Sequence, residues 1–324
     1  MAGPAGTLTV PRPPTALDLE QARLMIARHL APTPLLASPG LGRGVLLKLE
    51  SAQPTGSFKV RGALAALGGL ATDLPVVATS AGNHGLGVAW AAQLLGRQAT
   101  IVVPESASPA KLEKLSRFRA TTVRHGQSFR EAEAYGHDLT GAGAHYLSPY
   151  NDAQVIAGQA TIGAELEHLE GPLTVVAPIG GGGLIAGLAC WAAGRGDVQL
   201  VGVEAASSPA MSAALGAHSR DRPCAATIAD GIAGGIEPGS VTVELARARL
   251  DRLVQVTEDE IAEAIGFLAT EHGVVAEGAG AVGTAALLGG QVRVVGTTIV
   301  LLSGRNISLA LLAAVLDRST NAGA

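Results

Sequence analysis

Two rhythms of apolar positions alternate along most of the chain. Short unbroken apolar runs read as buried strands, and longer stretches with helical spacing read as the helices that cover them. Residues 1–15, with four prolines and little periodicity, read as a flexible lead. Leu17 to Leu30 is the first helix, with Asp18 and Glu20 near its start, where the helix dipole favours acids. Val45 to Leu49 is a strand, and the turn Gln53-Pro54-Thr55-Gly56-Ser57-Phe58-Lys59 leads from it into a helix from Val60 to Leu70. Val76 to Thr79 (strand), Gly85 to Leu95 (helix), Ala99 to Val103 (strand), Pro109 to Phe118 (helix) and Thr121 to Arg124 (strand) follow. Helices over 129–141 and 155–169 precede the strand Leu173 to Ala177, the helix Leu184 to Ala193 and the strand Gln199 to Val203. The last group holds helices Glu258 to Glu271 and Gly280 to Leu288, the strand Thr298 to Leu302, and a helix ending near Leu316. Such alternation predicts an α/β fold of parallel sheets covered by helices on both faces.

Composition sharpens this picture. The 324 residues suffice for two lobes, and 48% are apolar against 15% charged, so there is material for large cores. Aromatics are only 3%, which leaves alanine, glycine and valine to pack closely spaced elements. A net charge of -4 without a basic run argues against nucleic acid as a partner. Two cysteines, Cys190 and Cys224, are too few for a disulfide framework and read as small buried hydrophobes. No basic start followed by an apolar run marks a signal peptide. The uncharged window Leu173 to Ala193 has the length of a membrane span, but Pro178 and four glycines break it into strand, loop and helix. The expected location is the cytoplasm, with no membrane partner.

Four segments carry candidate chemistry. Only four of the 23 lysines and arginines are lysine (Lys48, Lys59, Lys111, Lys114), and one of them, Lys59, follows Ser57-Phe58 at a helix start. An amine forms an imine with an aldehyde, whereas a guanidinium stays protonated and does not. Gly180-Gly181-Gly182-Gly183 lies between a strand and a helix, where converging backbone N–H groups hold a phosphate. Thr79-Ser80-Ala81-Gly82-Asn83-His84-Gly85 supplies a hydroxyl, a flexible glycine and an amide before a helix, a fitting cradle for a carboxylate. Ser303, in Leu302-Ser303-Gly304-Arg305-Asn306, places a hydroxyl at a strand's C-terminal end, suited to a heteroaromatic nitrogen. Each has an ordinary alternative: a surface lysine at a helix end, a tight turn, a helix N-cap by Ser80 or Asn83, a polar turn. Together they recur where open α/β folds place ligands.

One alternative from another class stands beside them. Gly181-x-Gly183-x-x-Ala186, with Glu204 ending the next strand, fits a dinucleotide fingerprint and a nicotinamide-dependent dehydrogenase. That reading leaves Lys59 unexplained and puts the loop in mid-chain.

From about Ala22 to Asn306 the sequence resembles the fold type II (tryptophan-synthase-β-like) pyridoxal-phosphate enzymes, and within them the threonine/serine dehydratase and serine racemase family. The matching pieces include Thr33-Pro34-Leu35, Lys48-Leu49-Glu50, Pro54 to Gly62, Ser80 to Gly85 and Val155 to Gln159. The tetraglycine, Thr227-Ile228-Ala229-Asp230-Gly231, Glu277-Gly278-Ala279-Gly280 and Ser303-Gly304 continue the match. The resemblance implies two lobes, each an open, mostly parallel sheet flanked by helices. Residues 1–74 plus 149–324 would form a large cofactor-binding domain, and 75–148 a small mobile domain. It implies a pyridoxal 5'-phosphate cofactor held by Lys59 as a Schiff base, with Phe58 and Gly231 against its ring. Asn83 would meet the ring hydroxyl, Gly180, Gly181, Gly182, Gly183 and Leu184 the phosphate, and Ser303 the pyridine nitrogen, with Glu277 behind the ring. Ser80, Ala81, Gly82, Asn83 and His84 would bind the substrate carboxylate, largely through backbone N–H groups. The implied reaction is β-elimination of water and ammonia from L-threonine or L-serine, with Lys59 as the base at Cα. A serine at the pyridine nitrogen, unlike an aspartate, suits elimination more than transamination. A homodimer or higher homo-oligomer is the expected assembly.

Some residues depart from the family pattern. Ala81 stands where racemases carry a second serine that serves as acid and base on the opposite face, so dehydration is expected over racemisation. Another β-hydroxy amino acid, of the 3-hydroxyaspartate or phenylserine type, is the alternative substrate. Pro209 and Ala210 follow Glu204 where metal-dependent relatives carry aspartate, which leaves Glu204 a weak candidate ligand and no metal expected. Arg305 replaces a commoner small residue. No C-terminal regulatory domain is expected beyond the last helix.

Overall fold

The computed structural model describes residues 11–70, 74–216 and 225–321; Cys224 and most of the proline-containing lead lie outside the described residues. The chain opens with α1 (Ala16–His29), started by a reciprocal capping box between Thr15 and Asp18, then β1 (Leu35–Ala37) and β2 (Val45–Lys48). Helix α2 (Lys59–Gly69) follows, and then β3 (Val76–Thr79), α3 (Asn83–Leu94), β4 (Ala99–Val103), α4 (Pro109–Leu115) and β5 (Thr121–Arg124). Next come α5 (Phe129–Asp138), β6 (His145–Tyr146), α6 (Ala153–Ala164), β7 (Leu173–Pro178), α7 (Gly183–Trp191) and β8 (Val198–Ala205). The last elements are α8 (Ala210–Ala214), α9 (Val241–Arg249), β9 (Arg252–Val256), α10 (Glu258–His272), α11 (Gly278–Leu288), β10 (Thr297–Leu301) and α12 (Leu309–Asn321).

Strands from 76 to 146 form a four-stranded parallel sheet in the order β5-β4-β3-β6. All other strands form a six-stranded sheet, β1-β2-β10-β7-β8-β9, parallel except for the β1–β2 pair. The two sheets therefore interleave in sequence: β1 and β2 precede the smaller sheet, and the other four strands of the larger one follow it. Among the described residues no helix is long and apolar enough to cross a membrane, and the uncharged window from Leu173 divides into β7, a loop and α7.

Several quoted motifs turn out to be packing devices. Where α2 crosses α6, a Cβ on Gly158 would sit 2.6 Å from the Arg61 carbonyl oxygen, so the helices approach backbone to backbone. Beside that crossing lies a buried ionic group. Arg61 Nε is 2.8 Å from Glu50 Oε2 and Arg61 Nη1 is 2.7 Å from Glu165 Oε1, while Lys48 Nζ also reaches Glu165. Thr33 Oγ1 donates to Glu50 at 2.6 Å, and the Thr33 carbonyl accepts from Lys48 at 2.8 Å. Burial alone would depress the Arg61 guanidinium, but Glu50 and Glu165 outweigh it and raise it above its ordinary value. Thr33, Lys48, Glu50 and Arg61 thus tie β2, α2 and α6 to one another.

Candidate active site

The C-terminal ends of β3, β7 and β10 face a common cleft of about 440 Å³. Lys59 enters it from the first turn of α2, half-buried, its amine donating to the Pro149 carbonyl at 2.8 Å. Burial lowers the amine to about 8, partly offset by the Glu277 charge, so about a tenth of it is neutral at pH 7. The Phe58 ring lies beside it, its centroid 5.1 Å from Nζ.

The tetraglycine forms the opposite wall. Only Gly182 needs a left-handed backbone, with φ of 88° at the N-cap of α7. Its neighbours are glycine for a different reason. A Cβ on Gly181 would lie 2.3 Å from the Tyr150 ring, one on Gly183 2.9 Å from the Tyr150 Cα, and one on Gly180 2.8 Å from Ile232. Tyr150 is fixed at its far end, where its hydroxyl accepts from the Glu237 N–H at 3.1 Å. The loop therefore has no side chains of its own and presents its backbone at the positive end of α7.

Glu277 lies at the back, fully buried. Burial pushes its carboxyl up to about 7, the Asp230 charge adds to this, and hydrogen bonds from Asn83 and Asn306 work against both. Asn83 Nδ2 donates to Glu277 Oε1 at 2.6 Å, and the Asn306 N–H donates to Oε2 at 3.0 Å. Gly231 and Gly304 make room for this group: a Cβ on Gly304 would lie 2.4 Å from Glu277 Oε1, and one on Gly231 3.3 Å from it. Buried Ser303 makes only a long contact to the Ala279 carbonyl, 3.4 Å, so its hydroxyl is free to turn toward a ligand atom.

Lys59, Phe58, Asn83, Gly180 to Gly183, Leu184, Gly231, Glu277 and Ser303 all line this one cleft. The other residues of the carboxylate loop, Ser80, Ala81, Gly82 and His84, are not among those that line it. Ser80 Oγ accepts from the Gly82 N–H at 3.1 Å, and Ala81 packs against the core of the smaller sheet. His84 turns inward: its ring is buried, pushed down to about 3 by burial and by Lys59, and its Nε2–H donates to the Leu147 carbonyl at 2.9 Å. Only its backbone is available to a substrate. Helix α3 begins at Asn83 rather than at Gly85, which turns the N–H groups of its first turn toward the cleft.

Glu204 lies away from the residues that line the cleft. It is buried, and its carboxylate accepts from the Met211 and Ser212 N–H groups and the Ser212 hydroxyl, capping α8. Among the described residues no group of three or more His, Cys, Asp and Glu is arranged to hold a metal ion. Tyr150 and Ile232 also line the cleft and carried no motif, and Ala279, within the Glu277 to Gly280 motif, had no role assigned to it.

A half-buried amine, a backbone phosphate cradle and a hydroxyl for a ring nitrogen fit an aldehyde-bearing, phosphorylated heteroaromatic cofactor, and so define the site of an imine-forming enzyme. The pyridoxal-phosphate-dependent enzyme model matches residues 26–304, and the chain belongs to that family. It is 40% identical to the L-threonine ammonia-lyase of Thermotoga maritima over 95% of this chain and 79% of that one. Among solved structures, a threonine deaminase from T.th. superposes with a TM-score of 0.84 at 36% identity, covering 91% of this chain and 99% of that one. Maize serine racemase gives 0.85 at 26% identity, covering 96% and 99%. Membership in this family removes the nicotinamide reading of Gly181 to Glu204.

Proposed function

We propose that the protein removes water and ammonia from L-threonine or L-serine, releasing a 2-oxo acid. The observation that carries this is the Lys59 amine, half-buried, kept partly neutral and held at the mouth of a side-chain-free glycine cradle. The names of the relatives at 36–40% identity point the same way.

Pyridoxal phosphate, when bound, supplies the electron sink that makes the substrate Cα proton acidic. The chain's residues do the rest. Backbone N–H groups of Gly180 to Leu184 would hold the phosphate, Asn83 would orient the ring hydroxyl, and Ser303 would offer a neutral hydroxyl to the ring nitrogen. N–H groups of Ser80 to His84 would hold the substrate carboxylate at the start of α3. The Lys59 amine, in its neutral form, would take the Cα proton. Ala81 supports elimination over racemisation, because a methyl packed against the core offers no proton on the opposite face. In the same proposal residues 75–148 move as a unit to bring that loop onto the substrate.

The test is a panel of hydroxy amino acids assayed for 2-oxo acid. The expected result is product from threonine or serine, a visible absorbance band abolished by borohydride, and neither product nor band in Lys59→Ala. A colourless wild-type protein, or turnover retained in Lys59→Ala, would overturn the reading.

A further inference from the structure

We propose that Lys114, on a helix of the smaller sheet, is a positioning residue that fixes the direction and charge of a hydrogen-bond chain ending on the Glu277 carboxylate. Four side chains stand in line. Lys114 Nζ donates to Asn306 Oδ1 at 3.1 Å, Asn306 Nδ2 donates to Asn83 Oδ1 at 2.6 Å, and Asn83 Nδ2 donates to Glu277 Oε1 at 2.6 Å. An ammonium only donates and a carboxylate only accepts, so the two ends give the chain one polarity. The amides between them have no such preference of their own. Turning Asn306 over would set its Nδ2 against the ammonium and its Oδ1 against both Asn83 Oδ1 and the Thr55 carbonyl, which now accepts from Nδ2 at 2.8 Å. With Asn306 held, Asn83 has one orientation left, and it presents N–H to Glu277.

The chain also crosses between the two sheets. Lys114 belongs to α4, between β4 and β5, whereas Asn306 and Glu277 lie beside β10 and α11 of the larger sheet. One turn earlier on α4, Lys111 Nζ pairs with Asp230 Oδ2 at 3.0 Å. The charged groups facing Glu277 are thus Asp230, which favours its neutral form, and Lys114 and Lys59, which favour its ionised form; Lys111 tempers Asp230. Lys114 favours the ionised form of Glu277 only while α4 rests on Asn306. Of the four lysines, two therefore act at the junction of the lobes.

This inference rests on the cleft being the catalytic site, but its test does not need turnover. Holoenzyme labelled with 13C at the glutamate carboxyls is titrated, and the Glu277 signal is assigned by its loss in Glu277→Gln. In Lys114→Met the Glu277 midpoint should rise by about half a pH unit or more. Lys114→Arg, which keeps both donor and charge, should titrate as wild type. A smaller shift in Lys114→Met, or an equal rise in Lys114→Arg, overturns the proposal. Lys114 is partly exposed, and unchanged thermal melting of both variants checks that only the chain was altered. A protein that makes 2-oxo acid with an unshifted Glu277 fails this inference alone, whereas a shifted Glu277 without product fails the proposed function alone.

Discussion

At His84 the imidazole is enclosed and its ordinary value of 6.5 falls to about 3, first through burial and then through the nearby Lys59 amine. Between those two values the unfolded chain binds a proton that the folded chain does not, so stability falls as pH drops through that window. His84→Gln keeps a donor for the Leu147 carbonyl and removes the titration. Its loss of stability between pH 7 and pH 4 should be smaller than the wild type's by about 3 kcal/mol, read from urea unfolding at each pH. Lys59 acts in a different range. Its amine is depressed to about 8, so its charge weighs on the fold below that value and the burden lifts as pH rises from there toward 10.5. The same depression gives the proposed base a rising limb of activity near pH 8, and a pH–rate profile with no limb there would sink that assignment.

The loop before α7 is shaped by its neighbour as much as by its own conformation. Gly181→Ala drives a methyl into the Tyr150 ring and should cost about 1–3 kcal/mol in thermal unfolding, with weaker cofactor retention on dialysis. Tyr150→Ala in the same chain should recover most of the lost stability, since the ring is the obstacle. Asp152 caps α6 by accepting from the Gln154 and Val155 N–H groups, and Asp152→Ala should cost about 1 kcal/mol in the same melts. Elements with strong local signals were legible in the sequence: unbroken apolar strands such as β7, polar residues at helix starts such as Lys59 and Asn83, and Ser303 just past a strand end. Strand β9, Arg-Leu-Val-Gln-Val, was not among the predicted strands, because an edge strand paired only to β8 mixes polar residues with apolar ones. Strand β6 spans only two residues, and α9 begins with β-branched residues that mask its period. Tyr150, Asn306 and Lys114 had no readable role, because each acquires its neighbours only when segments distant in sequence meet.

Across the whole molecule, a shared apolar core joins α1 and α2 to β3, α3 and β4 of the smaller sheet, and the ions around Arg61 pin α2 to β2 and α6. Removing one member leaves the rest uncompensated in a dry interior, so Arg61→Met should cost about 3–5 kcal/mol in urea unfolding. Strand β10 has a different kind of importance. It lies between β2 and β7, pairing with both, yet among the described residues it comes after every other strand in sequence. Until it emerges, β2 and the β7–β9 group have no shared edge, and each exposes a row of unpaired backbone groups. The smaller sheet has all its strands by residue 146 and does not wait. A nascent chain stopped before residue 297 should therefore hold the smaller sheet protected from protease while β2 and β7 remain open to it. Until β10 is in place, the unpaired edges of β2 and β7 leave the chain most exposed to pairing with a stranger's strand.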